Sequence, residues 1–501
     1  MADTVREIER KYEAENDSGR AHLPDLSGAG PVAAVTHQET VELDAVYYDT
    51  ADLRLAAAGI TLRRRSGGTD AGWHLKLPVA PGVRDEIRVP LGERVPPRLA
   101  GLVRSRTREE ALLPLVRIVT RRAVQHLLAA DGTLLAEAST DAVTAERPDG
   151  DRGPLQWTEA EVELAPGGDP ALLDTLEPHL RKAGLRPSPA PSKLARALDG
   201  LGLAHPAPQP PAEPATAGEH ILAYLREHAE TVVALDPGAR LGTEDAVHQM
   251  RVATRRLRSA LRTYGKILDR RATDPIGEEL KWLAAQLGVD RDREVLVERL
   301  REALEDVPRP LVRGPVRARL RIWATRNRAE TRRQVTAVLD GKRYLALLEA
   351  LDALLADPPL RPAAGRPAEP VLTKALRRDH ARLAARVEHA LATEPGRARD
   401  LALHEARKAA KRARYAAEAA TPALGKPAKR FARDVKAVQT VLGDHQDSVL
   451  TRTALQTIAA QAAVAGEATF TYGLLYGREE HRAAEDEREL AGAWAQVRPL
   501  P

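Results

Sequence analysis

The sequence predicts a multidomain α+β chain, with an N-terminal, mainly antiparallel β domain followed by an all-α domain. Three observations carry this. At 501 residues the chain exceeds the roughly 100–200 residues of one domain. The stretch His205-Pro-Ala-Pro-Gln-Pro-Pro-Ala-Glu-Pro214 lacks apolar periodicity and reads as an extended, semi-rigid linker. Across it the apolar pattern changes from period 2 to period 3.6. The expected divisions are residues 1–203, a linker over 204–217 and a helical domain over 218–495.

Strands are expected at Glu39–Tyr48, Ile60–Arg65, Trp73–Leu77, Asp85–Leu91, Arg117–Leu128, Thr133–Glu146 and Gln156–Leu164, each bounded by Gly, Pro, Asp or Asn. Asp131-Gly132 joins two of them as a hairpin turn. Short helices are expected at Ala51–Ala58 and Pro170–Ala183. After the linker, Glu219–Leu235, Ala246–Leu268, Gly277–Leu287, Asp292–Leu304, Pro315–Leu339, Leu372–Leu391 and Leu401–Ala420 carry helical periodicity.

Composition narrows the chemistry. Aromatics are 3% of the chain against 43% apolar residues, so Ala, Leu and Val must fill the cores. Cysteine is absent, which excludes disulfides, thiolate metal sites and a cysteine nucleophile. Residues 1–17 are charged without an apolar segment, and no 18-residue apolar run occurs, so a soluble cytoplasmic protein with no membrane partner is expected. Residues 1–200 hold 26 Lys+Arg against 31 Asp+Glu, and residues 201–501 hold 50 against 40, so the excess of cations lies in the helical half. The sequence sets no oligomeric state.

The helical half repeats itself. AVHQMRVATRRLRSALRTY from Ala246 matches ALHEARKAAKRARYAAEAA from Ala402. The pairs His248/His404, Lys281/Lys436, Leu287/Leu442, Gly288/Gly443 and Asp292/Asp447 are separated by 156, 155, 155, 155 and 155 residues, as a tandem duplication requires. In the first copy His248, Arg251, Arg255, Arg258 and Arg262 advance by 3, 4, 3 and 4 residues, and His404, Arg407, Lys411 and Arg414 follow the same steps. Each set falls on one helix face, flanked by Arg256, Lys408 and Arg412. A charge run is ordinarily a solvated face. Here neighbouring carboxylates are missing apart from Glu418, and both copies keep the pattern behind a histidine. Like charges so spaced repel by roughly 0.2–0.5 kcal/mol per pair, so something else must favour them, and a bound polyanion is the reading preferred to a solvated face. Lys266, Lys281, Arg317, Arg319, Arg321, Lys429, Arg433 and Lys436 are further candidates. Arg forks and Lys point charges suit a chain of phosphates. Only Tyr264 and Tyr415 lie near the stripes, too few aromatics for single-strand stacking, which places nucleic acid behind inorganic phosphate chains.

In the strand half Glu7, Glu9 and Lys11 share one face, as do Arg63 with Arg65, His74 with Lys76, Arg84 with Glu86 and Arg88, and Glu159 with Glu161 and Glu163. For one strand a solvated face is the simpler reading. Five such strands imply a closed or strongly curved sheet with a charged lumen, where carboxylates hold Mg2+ or Mn2+ and cations hold phosphate. Neither a Ser–His arrangement nor a GxxxxGK[ST] loop is present.

These residues resemble two known families. Glu7-x-Glu9-x-Lys11, Tyr48-Asp49-Thr50, Leu62-Arg63-Arg64-Arg65, Leu75-Lys76-Leu77-Pro78, Glu161-Val162-Glu163-Leu164 and Ser192-Lys193 resemble, in order, the CYTH domain of the triphosphate tunnel metalloenzymes. Residues from about 218 to 495 resemble the CHAD domain through the duplicated His-x-x-Arg helices. The first resemblance implies an eight-stranded β tunnel with flanking helices and metal-dependent hydrolysis of inorganic triphosphate or a triphosphorylated compound. Glu7, Glu9, Glu161 and Glu163 would hold metal, with Asp141 and Glu86 as additions, and Glu7, Glu9 and Lys11 would be central to catalysis. Lys11, Arg63, Arg65, Lys76, Arg117, Arg122 and Lys193 would hold phosphates, although the Arg121-Arg122 doublet leaves the register of Arg117 and Arg122 ambiguous. The second implies two pseudo-symmetric four-helix bundles binding inorganic polyphosphate. The turn expected at Leu442–Asp447 lacks the arginine pair of Arg291-Asp292-Arg293. Two further readings stand: a non-catalytic polyphosphate adaptor targeting granules, and a binder of nucleic-acid backbones.

Overall fold

The computed structural model describes residues 4–14, 22–148, 150, 153–203, 213–243, 245–288, 291–325 and 328–500, without the side chains of 291–295, 324–325 and 328–331. The chain divides into two compact units, Met1–Pro210 and Pro211–Pro501. Most of the Pro-rich stretch and the side chains of Arg291, Asp292 and Arg293 lie outside the described residues.

In the first unit the strands are β1 (Thr4–Ala14), β2 (Ala34–His37), β3 (Val41–Asp49), β4 (Thr61–Ser66), β5 (Gly72–Ala80), β6 (Val83–Pro90), β7 (Leu113–Leu128), β8 (Leu134–Glu146), β9 (Leu155–Leu164) and β10 (Leu185–Pro187). The order β1-β6-β5-β4-β3-β7-β8-β9 returns to β1, which pairs with β6 through Thr4–Ile8 and with β9 through Glu9–Tyr12. The eight strands therefore close an antiparallel ring, while β2 and β10 pair outside it. The helices α1 (Arg54–Ala57), α2 (Pro97–Thr107), α3 (Ala171–Lys182) and α4 (Lys193–Gly200) flank the ring. The helix expected over Ala51–Ala58 is shorter, because the Asp49 carboxylate accepts from Leu55 N and Ala56 N, both at 2.8 Å, and sets its start. As expected, Gly132 takes the left-handed turn conformation between β7 and β8, with φ 84°.

One apolar cluster packs outside the ring wall, joining β1, β7, β8 and β9 to α3 through Leu172, Leu176 and Leu180. A second seats Leu194 and Leu198 of α4 against Tyr47, Val116, Ile118, Val143 and Trp157. Those on β7, β8 and β9 share parity with Arg122, Asp141 and Glu159, so α4 packs on the inward face, beside the charged positions.

The second unit is helical: α5 (Ala217–Leu241), α6 (Ala246–Thr263), α7 (Arg270–Gln286), α8 (Arg291–Glu305), α9 (Val316–Thr325), α10 (Arg328–Asp340), α11 (Lys342–Ala356), α12 (Ala368–Ala392), α13 (Arg397–Leu424), α14 (Lys426–Val464) and α15 (Phe470–Ala495). Thr216 and Glu219 form the reciprocal capping box that starts α5. One apolar cluster runs through both repeat copies, from Ile221 and Leu257 to Ala413 and Val435, and a smaller one joins α8, α9, α14 and α15. The turn expected at Leu442–Asp447 is absent: those residues lie within the uninterrupted α14. Its first-copy counterpart does end a helix, with α7 stopping at Gln286. No helix among the described residues is long and apolar enough to cross a membrane.

Candidate functional site

Because side chains alternate along a strand, the inward parity of the ring decides its lumen. Glu7, Glu9 and Lys11 of β1 face in, with Glu9 opposite Glu163 and Lys11 opposite Glu161 on β9. Arg63 and Arg65 of β4 pair with His74 and Gly72 of β5, and Lys76 of β5 stands opposite Glu86 of β6. Glu7, Glu9, Glu86, Glu159, Glu161, Asp141, Arg65 and Lys193 are all buried. Burying so many charges is tolerable only where they are paired.

The charges form two linked groups. In one, Lys193 at the start of α4 sends Nζ among three carboxylates, 2.9 Å from Asp141, 2.8 Å from Glu159 and 2.5 Å from Glu161. Arg122 donates to Asp141 and to Glu161 at 2.6 Å each, and Lys11 pairs with Glu161 and stands 3.4 Å from Glu9. Against the upward push of burial, Lys11, Lys193 and Arg122 hold Glu161 well below the usual carboxylate range. In the other group Glu86 receives His74 at 2.9 Å, pairs with Arg88, and lies 3.6 Å from Arg63. Lys76 stands 2.5 Å from Glu7, and Arg65 pairs with Asp70. Burial and the neighbouring Arg63 pull the Arg65 guanidinium down to about 9.

Glu163 differs from these. Burial, together with Glu7, Glu9 and Glu161, pushes its carboxyl up to about 7. Burial also raises Glu7, although Lys76 opposes it. A face of oxygen donors still short of positive charge fits a hard divalent cation. Asp141, Glu159 and Glu161 form a second set, with one oxygen from each within 4.8 Å of the others.

The ring does not bring every expected residue inside. Arg122 faces the lumen, but Arg117 is on the outer face, bonded to Asp44 at 2.8 Å and Glu146 at 2.9 Å. The two are five residues apart on β7, an odd number, so a regular strand sends them to opposite faces. Glu159 joins the expected carboxylates, and its signal was its parity with Glu161 and Glu163. Asp70 reaches Arg65 from a loop that carries no periodic signal.

In the helical unit the two stripes meet. Arg407, Arg255 and Arg251 all bear on Lys411, and with burial as the largest cause they push its ammonium down to about 7. The α6 and α13 backbones are joined there: Tyr264 Oη donates to Ala416 O at 2.7 Å, and Arg412 Nη2 donates to Arg262 O at 3.2 Å. Glu418 lies 3.1 Å from Arg256 and 3.0 Å from Arg414, whose guanidinium stacks over Tyr415. The repeat glycines take matching roles. A Cβ on Gly288 would meet Arg251 Nη2 at 2.8 Å, and one on Gly443 would meet Arg407 Nη2 at 3.8 Å. His404 Nδ1 contacts Gln446 Oε1 at 2.6 Å, and His248 is half-buried at the head of its stripe. Arg258, half-buried, has its pKa lowered by burial and by Arg262. A cavity of ≈ 470 Å³ at one end is lined by Arg262, Lys266, Arg361, Arg378, Arg382 and Arg412.

Other expected cations stand apart from this convergence. Lys408 pairs with Glu405 at 2.6 Å and Lys281 with Glu278 at 3.1 Å, which corrects the expectation that only Glu418 neighbours the stripes. Arg433 pairs with Asp434, Arg319 is held by Glu467, and Lys436 is exposed on α14. Asp379 of α12, missed in the sequence, accepts from Thr263 Oγ1 at 2.6 Å and stands 3.3 Å from Arg412.

The model of the CYTH domain matches residues 5–198 and the model of the CHAD domain matches residues 223–456. Uncharacterized proteins of two Mycobacterium tuberculosis strains are each 40% identical over 505 residues, covering 97% of this chain and 95% of theirs. Among solved structures, PptA from Streptomyces chartreusis is 22% identical, covering 56% of this chain and 100% of its own, with a TM-score of 0.48. The CHAD domain from the plant Ricinus communis is 23% identical, covering 58% and 96%, with a TM-score of 0.47.

Proposed function

The chain belongs to the family of proteins that join a CYTH domain to a CHAD domain, and we propose on that footing that it is a metal-dependent triphosphatase coupled to a polyphosphate-binding module. The observation that carries this reading is the closed lumen, in which Glu7, Glu9, Glu161 and Glu163 face Lys11, Arg63, Lys76 and Arg122. Inorganic triphosphate, or the triphosphate of an organic compound, would lie along the cations, with Arg63, Arg65, Lys76, Arg122 and Lys193 neutralising its oxygens. Glu7, Glu9, Glu161 and Glu163, with Asp141, would hold Mg2+ or Mn2+, which supplies charge neutralisation and acidifies a nucleophilic water. Lys11, placed between Glu9 and Glu161, orients both carboxylates.

In the same proposal the converged stripes around Lys411, drawn from His248, Arg251, Arg255, Arg258, His404, Arg407 and Arg414, hold a long phosphate chain. The pairing of helices into two pseudo-symmetric four-helix bundles belongs to it as well. Nucleic acid is disfavoured because Tyr264 and Tyr415 are buried and offer no stacking face. A second reading, a non-catalytic polyphosphate adaptor at cytoplasmic granules, is favoured by one observation: Lys193 already occupies the centre of the Asp141, Glu159 and Glu161 carboxylates.

Phosphate release from triphosphate, with and without Mg2+ or Mn2+, separates the two. The catalytic reading expects metal-dependent release that is lost in Glu7→Gln with Glu9→Gln. It expects Arg122→Ala to weaken kcat/KM by tenfold or more, since a hydrogen bond to a charged group is worth about 1.5–3 kcal/mol, while Arg117→Ala stays near the parent. No release from the parent leaves the adaptor.

A further inference from the structure

One polar cluster of the helical unit, built around a buried histidine, has no part in the phosphate-binding reading. Asp400 of α13, His445 of α14 and Glu487 of α15 each present one donor atom, and the three atoms lie within 4.8 Å of one another. His445 is 2% exposed, and its Nε2 has no hydrogen-bond partner among the described residues. Nε2 stands 3.4 Å from Asp400 Oδ1 and 3.4 Å from Glu487 Oε1.

Both contacts are within ion-pair reach, and their length also fits ligands sharing one metal ion. An N–H···O bond spans about 2.7–3.2 Å, shorter than either contact. Ligands about 2.0–2.1 Å from a tetrahedral zinc lie about 3.3–3.4 Å from each other, which matches both. Octahedral magnesium at similar bond lengths brings neighbouring ligands to about 2.9 Å, which matches neither. The outer oxygens are tethered in the manner of a metal site's supporting shell. Arg399 Nη1 donates to Glu487 Oε2 at 2.7 Å, and Arg452 Nη2 stands 3.5 Å from Asp400 Oδ2. His445 forms the floor, while the Asp400 and Glu487 side chains keep 23% and 19% exposure and leave an entry side.

We propose that Asp400, His445 and Glu487 form a binding site for a tetrahedral divalent transition metal of the zinc class, with its fourth position open to water. The ion would clip three successive helices of the second repeat copy, as metals do between facing helices of bundles. It would also fix the head of the second basic stripe, because Asp400 precedes His404 by one turn and Gln446, next to His445, holds His404 Nδ1 at 2.6 Å.

The test strips the full-length protein of metal and titrates it with Co2+, following visible absorption and bound-metal stoichiometry. Glu7→Gln with Glu161→Gln serves as background, so that the N-terminal lumen is not what is read. The expected result is one equivalent of Co2+ with the intense spectrum of tetrahedral cobalt, displaced by Zn2+, and weakened roughly 10- to 100-fold or more in both His445→Gln and Glu487→Gln. Zn2+ should raise the unfolding temperature of that background and of neither variant made in it. Absence of the tetrahedral spectrum in the parent chain overturns the proposal, whether or not the variants fold. So does an unchanged spectrum and stoichiometry in a folded His445→Gln.

Discussion

At the scale of single residues, Glu163 and Lys411 are the groups whose ionisation near neutrality does most. The Glu163 pKa is raised to about 7, so its contribution to stability is full below the ordinary carboxylate pKa and is lost as pH rises through about 7. Without metal, Glu163→Gln should therefore raise the unfolding temperature at pH 8 and change it little at pH 5, as a pair of melting curves will record. Mg2+ binding at pH 7 should release protons from the parent and fewer from this variant, measurable by calorimetry in two buffers. Lys411 has the opposite sign. Its depressed pKa gives stability that is full above the ordinary lysine pKa and is lost as pH falls through about 7. A bound phosphate chain favours the charged ammonium, so polyphosphate affinity should rise from pH 8 to pH 6. Lys411→Arg, charged throughout, should flatten that dependence in a binding titration, and an equally steep profile would refute the assignment. The inward-facing set Glu7, Glu9, Arg63, Arg65 and Lys76 was legible because parity is local to each strand. Parity showed that Arg117 and Arg122 cannot both face inward, but the Arg121-Arg122 doublet left open which of them does. Asp70, Asp379 and the Asp400–His445–Glu487 cluster were illegible, because their partners lie on other elements at separations no periodicity reports.

At the scale of elements, the repeat was legible and its punctuation was not. Gly288 and Gly443 were recognised as equivalent landmarks, yet only the first follows a helix end. In α14 the surrounding contacts carry the helix through Gly443 although glycine costs about 0.5–1 kcal/mol relative to alanine there. Gly443→Ala should then stabilise the protein by up to about that amount, since its Cβ would meet Arg407 only at 3.8 Å. Gly288→Ala would place a Cβ 2.8 Å from Arg251 Nη2, so that side chain must move, and polyphosphate affinity should fall more than in Gly443→Ala. Denaturant melts and binding titrations of the two variants read both effects. The long strands from β3 to β9 were each foreseen within a few residues. β2 and β10 span only 4 and 3 residues, too short for an alternation to stand out, and both are held by neighbours rather than by their own pattern.

At the scale of the whole molecule, each unit has its own apolar clusters among the described residues. Scanning calorimetry should accordingly show two transitions, with Mg2+ and triphosphate raising one and long polyphosphate raising the other. A single transition shifted equally by both ligands would contradict this. The closure of the barrel bears on how it is made. β1 is the seam, paired on one side with β6 and on the other with β9, whose last residue is Leu164. The earliest strand of the ring must therefore wait for about 150 further residues before its second neighbour exists. Until then Glu7 can meet Lys76, but Glu9 and Lys11 lack Glu163 and Glu161 opposite them, and a truncated chain cannot complete the sheet. Ring closure is what joins the two charged groups into one lumen.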